Sequence, residues 1–341
     1  MLRVSRAQAV QYRLSVNHLS RRLPAGSYVE AAYVGLQDTA PRDALLGLHA
    51  RVAACEPSAW EHPRLMQTYS PRWAVYVLPK DDLGVFTLGR LPRDPEARRS
   101  LEERAERAAR ELAGQPRPAR RLPVDRRVCA TGRFAVRWTT SSLHVWEQPP
   151  PSIDPETARI ELCRRHVHAF GPTTPAAFAW WAGVSAGDAR QTFDVLAPEL
   201  MPVDYEGHRS WILAADEPAI GAAEPMRGVR FLVASDLRIF GPDRTGLFVG
   251  PGLRRHTPLH DTFHPGGLLI DGSIAGAWGR RAGRVSVRTF GPLPAAIRRA
   301  IRDEAESMPI PGAVVTVSLA EHSHSVPLGF AEAPDGPELP M

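Results

Sequence analysis

Residues 155–213 carry the tightest local punctuation in the chain. TARIELCRRHVHAFG closes on Gly171, TTPAAFAWWAG closes on Gly183, and SAGDARQTFDVLA stops before Pro198. Glycine ends a helix because it accepts the left-handed cap conformation, and proline because it cannot continue the hydrogen-bond ladder. LMPVDYEGHRSWIL then reads as two strands about a turn at Glu206-Gly207, where glycine tolerates the positive φ of a tight hairpin. Helix, short helix, recognition-length helix and hairpin is the order of a winged helix.

The first third repeats the order without repeating the sequence. Ala9, Tyr12, Val16 and Leu19 fall at helical spacing after Ser5, a candidate N-cap, and residues 27–36 follow Ser27 in the same way. A third helix is expected from Pro41, with Leu45, Leu48 and Val52 on one face. The β-rich runs WAVYVLP (73–79) and VFTLGR (85–90) would form the wing. Residues 96–113 predict a long helix whose acids and arginines pair with one another three and four apart. PRPARRLPVDRR, following Gln115, reads as a basic linker or arm. From Arg227 the runs GVRFLVAS, LLIDGSIAGAW and GRVSVRTF are strands, LPAAIRRAIRDEAESM is a helix, and the closing EAPDGPELPM is a loosely held tail.

The fold expected is therefore α+β, with tandem winged-helix (helix-turn-helix) domains and a C-terminal β-rich unit. The divisions are a first winged helix with its helical extension at 1–115, an arm and strands at 116–154, a second winged helix at 155–226, a β-rich unit at 227–330 and a tail at 331–341.

Charge suggests the partner. Of 42 lysines and arginines only Lys80 is lysine, so the basic groups are almost all planar forks suited to phosphate oxygens, a bias that a GC-rich genome would also produce. The net charge of +5 is unevenly spread, because residues 90–138 hold 14 arginines against 7 acids and residues 227–300 hold 12 against 4. Two basic segments in an otherwise acidic chain give a polyanion two footholds, and nucleic acid is the first to consider. Cys55, Cys129 and Cys163 form no paired motif, which fits a reducing compartment. No signal-peptide core or apolar run of membrane-spanning length occurs, so the expectation is a cytoplasmic, nucleoid-associated monomer with no membrane contact.

Several blocks carry a resemblance: GLQDT (35–39) with ALLGLHAR (44–51), HAFGPTTPAAFAWWAG (168–183), FLVASDLRIFGPDR (231–244) and LLIDGSIAGAWGRR (268–281). In this order they resemble the tandem winged-helix DNA glycosylases of the AlkZ and YcaQ type, which protect or repair DNA carrying bulky alkyl adducts and crosslinks. The resemblance implies that a short motif, Gln, any residue, then Gln or Asp, sits beside the scissile bond and positions water. Gln37 matches its first member, and Thr39 departs at the third position.

On a continuous helix residues two apart point to opposite sides, so Gln37 and Thr39 could share a water only where a helix ends, as expected before Pro41. A threonine hydroxyl can hold a water but cannot take its proton. Asp38 can, which makes Gln37, Asp38 and Thr39 the candidate catalytic residues. The competing reading is that Asp38 or Thr39 merely caps the next helix.

The resemblance implies as substrate double-stranded DNA carrying bulky N7-alkylguanine adducts, interstrand crosslinks among them, with self-resistance to an alkylating natural product as the setting. Alkylation at N7 makes the base cationic and a good leaving group, so an enzyme need only stabilise an oxocarbenium-like sugar and deliver one water. Enzymes that also nick the backbone use an amine nucleophile. Lys80, at the end of an expected strand, has no evident partner, so the expectation is a monofunctional enzyme without cofactor.

Arg280, Arg281, Arg284 and Arg288 fall on or near the tip of an expected hairpin at 276–288, which in family terms lies at the lesion; a solvated basic turn is the alternative. Arg72, Arg244 and His264 are further candidates for DNA contact, although Arg244 could instead be a structural partner of Asp236. His256, His260 and His264 recur every four residues beside Asp261, but Pro258, Pro265 and Gly266-Gly267 oppose the helix that would align them on a metal, and none is expected. At most one of His166 and His168, and one of Trp180 and Trp181, can face the core. No phosphate-binding loop, nucleophile elbow or dinucleotide fingerprint appears. The rivals are a tandem winged-helix regulator reading a groove with helix 185–197, and a family member that recognises damage without cutting.

Overall fold

The computed structural model describes residues 1–39, 42–121, 125–139, 142–237 and 266–321. The chain forms two compact units, 1–226 and 227–341.

In the first unit, helix Arg6–Val16 begins as its sequence demands: the Ser5 hydroxyl accepts from the Gln8 amide while the Gln8 side chain accepts from the Ser5 amide. Helices Tyr28–Ala31 and Asp43–Arg51 follow. The second is much shorter than expected, because Gly35 turns the chain at φ +73 and lies so close to Tyr76 that an added Cβ would meet its ring at 2.9 Å. The chain continues as a strand, Leu36–Gln37. Helix Asp43–Arg51 starts beyond the expected Pro41, which lies outside the described residues.

The wing differs from expectation. Strand Val75–Pro79 pairs with Leu65–Tyr69, upstream of it. The run at 85–90 is helical, as Leu83–Thr87 and a turn of 3-10 helix at Leu88–Arg90. Leu83, Val85, Phe86 and Leu88 are all buried, and Gly89 passes the backbone of Ala158 so closely that a Cβ there would stand 2.8 Å from its carbonyl oxygen. Burial by the helix Pro155–Phe170 overrides the β-propensity of these residues. The expected arm is also partly strand: Arg117–Pro118 closes the edge of a six-stranded sheet in the order Leu36–Gln37, Val75–Pro79, Leu65–Tyr69, Phe134–Trp138, Leu143–Glu147, Arg117–Pro118.

The long helix spans Pro95–Leu112, capped by Asp94 and buried along Leu101, Ala105, Ala108 and Leu112. Its charges also leave the helix: Arg104 reaches Asp125 at 2.9 Å, and Glu106 pairs with Arg133.

The second helix–hairpin cycle follows its local signals except at Gly171, which ends its helix in extended rather than left-handed backbone and passes so close to the Val167 carbonyl that a Cβ would stand 2.6 Å from it. Asp154, Thr174 and Ser185 cap helices Pro155–Phe170, Pro175–Ala182 and Ala186–Leu196. Gly183 is left-handed, and Glu206 and Gly207 turn the hairpin Leu200–Tyr205/His208–Leu213 at positive φ. Strand Leu2–Val4 joins this hairpin in parallel. His166 and Trp181 are buried, whereas His168 and Trp180 are half-exposed.

The two winged helices share a polar seam. The Arg165 guanidinium donates to Asp82 at 2.7 and 2.8 Å, to Glu161 at 2.9 Å and to the Tyr33 carbonyl at 3.1 Å. Removing a well-buried partner leaves the opposing charges uncompensated, so Arg165→Met should lower the unfolding free energy by about 3 kcal/mol, measured by denaturant titration.

The second unit is a five-stranded sheet in the order Val229–Leu232, Gly266–Ile270, Ser273–Arg281, Arg284–Thr289, Thr316–Glu321. The run LLIDGSIAGAW is two strands, divided by an Asp271-Gly272 turn at positive φ. Helix Ala295–Glu306 leads to a last strand beyond those expected, which pairs in parallel with Arg284–Thr289. The tail at 331–341 lies outside the described residues. No helix among the described residues is long and apolar enough to cross a membrane.

Candidate active site

Residues 36–38 lie along an extended segment, and the chain bends at Thr39. Leu36 pairs with Val77 and Gln37 with Tyr76, and the Asp38 amide donates to the Val75 carbonyl at 2.7 Å. Extended chain alternates its faces. Leu36 and Asp38 therefore point inward and are buried, while Gln37 is half-buried and Thr39 exposed. The Gln37 amide donates to the Thr39 hydroxyl at 2.5 Å. No helix terminus is needed to bring these two together: Gln37 is on the strand Leu36–Gln37, and the bend at Thr39 leaves its hydroxyl beside the Gln37 side chain.

Asp38 is placed differently from its expected role as base. It is 0% exposed. One carboxylate oxygen accepts from the Ala44 amide at 2.9 Å, in the first turn of helix Asp43–Arg51, and the other accepts from the Gln67 amide at 2.7 Å. Burial pushes its pKa up to about 6, against the pull of the Ala44, Asp43 and Arg42 amides and the Arg42 charge. A carboxylate so enclosed cannot reach a substrate water in this conformation. Its contacts are those of the competing reading, in which it caps the helix.

The same carboxylate belongs to a cross-sheet brace. The Gln67 side-chain oxygen accepts from the Trp138 amide at 2.9 Å, and the Trp138 indole donates to the Asp38 carbonyl at 2.7 Å. Gln67, on a strand outside the expected wing, and Trp138 thus hold the segment bearing Gln37 and Thr39 from two sides. Only the alternation in LMQTY, with a polar residue facing inward, could have pointed to Gln67.

Two arginines stack on one tryptophan beside this corner. The Arg42 guanidinium, on a left-handed residue, lies 3.9 Å from the Trp60 ring centre, and that of Arg137 lies 5.4 Å from it while also pairing with Glu61. Arg72 stands elsewhere, 4.6 Å over Trp180. The exposed end of the corner is thus accompanied by positive charge.

In the second unit, Arg281 and Arg284 face each other across the turn at Ala282-Gly283, both exposed, and Arg288 follows on the same face. Arg280 is paired with the fully buried Val285 and so lies on the opposite face, with its guanidinium donating to the Ala282 carbonyl at 3.0 Å. The strand period divides the expected cluster of four into three and one. Arg244, His264 and the other histidines of the spaced trio lie outside the described residues. Among the described residues no group of three or more His, Cys, Asp or Glu is arranged to hold a metal.

A family model described as DNA glycosylase AlkZ-like matches residues 117–309, more than half of the chain. The chain belongs to the AlkZ-like DNA glycosylase family. The match begins beyond the Gln37 corner. An interstrand DNA cross-link repair glycosylase of Streptomyces sahachiroi is 24% identical over 137 residues, covering 39% of this chain and 36% of that relative, so the alignment spans little more than a third of its length. The structure of the Streptomyces sahachiroi DNA glycosylase AlkZ superposes with a TM-score of 0.74 at 18% identity, covering 94% of this chain and all of the other. This AlkZ-like chain therefore shares that structure's fold over nearly its whole length.

Proposed function

We propose that this AlkZ-like protein is a monofunctional DNA glycosylase that hydrolyses the bond between deoxyribose and a bulky N7-alkylated guanine in duplex DNA. The observation that carries the reading is the Gln37–Thr39 pair. The two polar side chains meet at the end of the strand Leu36–Gln37, in contact at 2.5 Å, and the segment is braced from behind by Asp38, Gln67 and Trp138. Such a pair can orient a water without removing its proton. That suffices where the leaving base is already cationic, because the bond to the sugar breaks largely before the water attacks. In this reading Gln37 and Thr39 hold the water, and Asp38 positions them.

Interstrand crosslinks through N7 and a role in self-resistance extend the same proposal, as does action by a monomer in the cytoplasm. The cross-link repair activity of the Streptomyces relative supports crosslinks as substrates to try. A Schiff-base route finds no support at the corner. Lys80, the chain's only lysine, is exposed at the end of strand Val75–Pro79, about 13 Å along the strand from Tyr76, the partner of Gln37.

Incubation with a duplex carrying a single N7-alkylguanine should liberate free modified base and leave an abasic, unbroken strand, with no protein–DNA adduct trapped by borohydride. Absence of release across a panel of N7 adducts, with DNA binding intact, would instead identify a DNA-binding regulator or a damage-recognition protein.

A further inference from the structure

A second set of stacked arginines lies apart from the Gln37 corner in the first unit. Residues 69–73 carry two aromatic rings, and each is overlaid by an arginine from the segment 126–127. Arg126 stands 5.5 Å over Tyr69, and Arg127 stands 6.0 Å over Trp73. The Trp73 ring also stacks with the buried Arg90, at 3.9 Å. Next to them Arg72 lies 4.6 Å over Trp180, on the helix that ends at Gly183, and Gly183 itself abuts the Trp73 indole. Arg126 and Arg127 are exposed, whereas Arg90 is 2% exposed with one guanidinium nitrogen unpartnered.

Two features distinguish this surface from a solvated basic patch. Arg72 and Trp73 are consecutive non-glycine residues in the left-handed region, at φ 58 and 56. Such strain persists only where the surroundings over-determine it, and it is concentrated at functional positions. An arginine held over a ring by cation–π attraction also has less rotamer freedom left to lose on binding an anion, and its planar fork suits phosphate oxygens. The acid in the group, Asp125, is engaged by Arg104 at 2.9 Å and by Arg127 at 3.8 Å. The local balance is therefore strongly positive.

We propose that Arg126 and Arg127, stacked on Tyr69 and Trp73 and flanked by Arg72, form a preorganised grip for successive phosphates of the DNA backbone. The proposal rests on the DNA-binding part of the function above and not on base release. Its ligand is the phosphodiester, so it contributes affinity equally on damaged and undamaged duplex.

The test is the salt dependence of binding to unmodified duplex DNA, followed by fluorescence anisotropy with the full chain. Removing one arginine that neutralises a phosphate should reduce the slope of log K against log salt by ~0.9. The double variant Arg126→Ala/Arg127→Ala should therefore lower the slope by about 1.8 and bind ~10-fold or more weakly at 100 mM salt. Arg126→Lys/Arg127→Lys keeps the charge but not the planar fork, and should bind several-fold more weakly with a nearly unchanged slope. The control Arg99→Ala/Arg107→Ala, at exposed positions on helix Pro95–Leu112, should leave the slope as it is. An unchanged slope in the alanine pair overturns the grip. So does an equal fall in the control, which would mean undirected basic charge, and so does a lysine pair that binds like the parent. Since all three readouts use undamaged DNA, a grip that fails while modified base is still released leaves the glycosylase reading standing.

Discussion

Gln37→Ala should slow release of the modified base by about 100-fold or more while leaving affinity for the duplex nearly unchanged. The side chain is half-buried and donates to Thr39, whereas the strand is held by backbone pairing to Val75–Pro79. Truncation should therefore cost the fold less than ~1 kcal/mol. A lower kcat with KM and Tm unchanged is what separates a water-holding group from a packing group. Thr39→Ala should be milder, since Gln37 keeps a donor and an acceptor on the same face. Unchanged single-turnover release in Gln37→Ala would place the reacting water elsewhere and remove this corner from the reaction.

The second large effect is on stability and belongs to Asp38. Burial holds this carboxyl up at about 6 from an ordinary 3.8. A group whose folded pKa is raised binds its proton more tightly in the folded state. Its contribution is full below the unfolded pKa and is lost as pH rises through the folded one. The difference of about two pH units corresponds to ~3 kcal/mol, discharged between about pH 4 and pH 6 and beyond. Asp38→Asn cannot titrate, so the stability of the parent relative to this variant should fall by about 2–3 kcal/mol between pH 4 and pH 7, measured by urea titration. The variant carries its own cost at every pH. An asparagine NH2 would face the Gln67 amide donor, and turning Gln67 round would spoil its bond to the Trp138 amide. Base release should persist in Asp38→Asn within roughly tenfold, as befits a positioning residue. A parent–variant difference that does not move with pH would mean that the carboxyl is not enclosed as described.

The elements legible in the sequence are those whose signals are local. Ser5, Asp154, Thr174 and Ser185 stand within three residues of the amides they cap. Gly183 and Gly207 supply the positive φ at their own positions. A reader of the sequence alone can therefore find the helix–helix–helix–hairpin order at 155–213, and can single out Gln37 by the motif around it. The strand Leu65–Tyr69 and the helix at Leu83–Thr87 escape such a reading for one reason: both are decided by what covers them. Leu83, Val85, Phe86 and Leu88 suit a strand or a buried helix equally, and the neighbouring helix Pro155–Phe170 makes the choice.

The candidate site divides along the same line. Sequence alone determined that Gln37, Asp38 and Thr39 stand together before a helix, that arginine supplies nearly all of the positive charge, and that lysine chemistry has one candidate, Lys80. Only tertiary structure decided that the Gln37 and Thr39 side chains meet on the outside while Asp38 turns inward, and that Gln67 and Trp138, 29 and 100 residues further along the chain, brace it. Caps and turns are settled by hydrogen bonds within a few residues, whose geometry the chain carries with it. Whether a carboxylate titrates in water or is enclosed depends on which distant segments exclude solvent from it, and that is fixed when the sheet assembles.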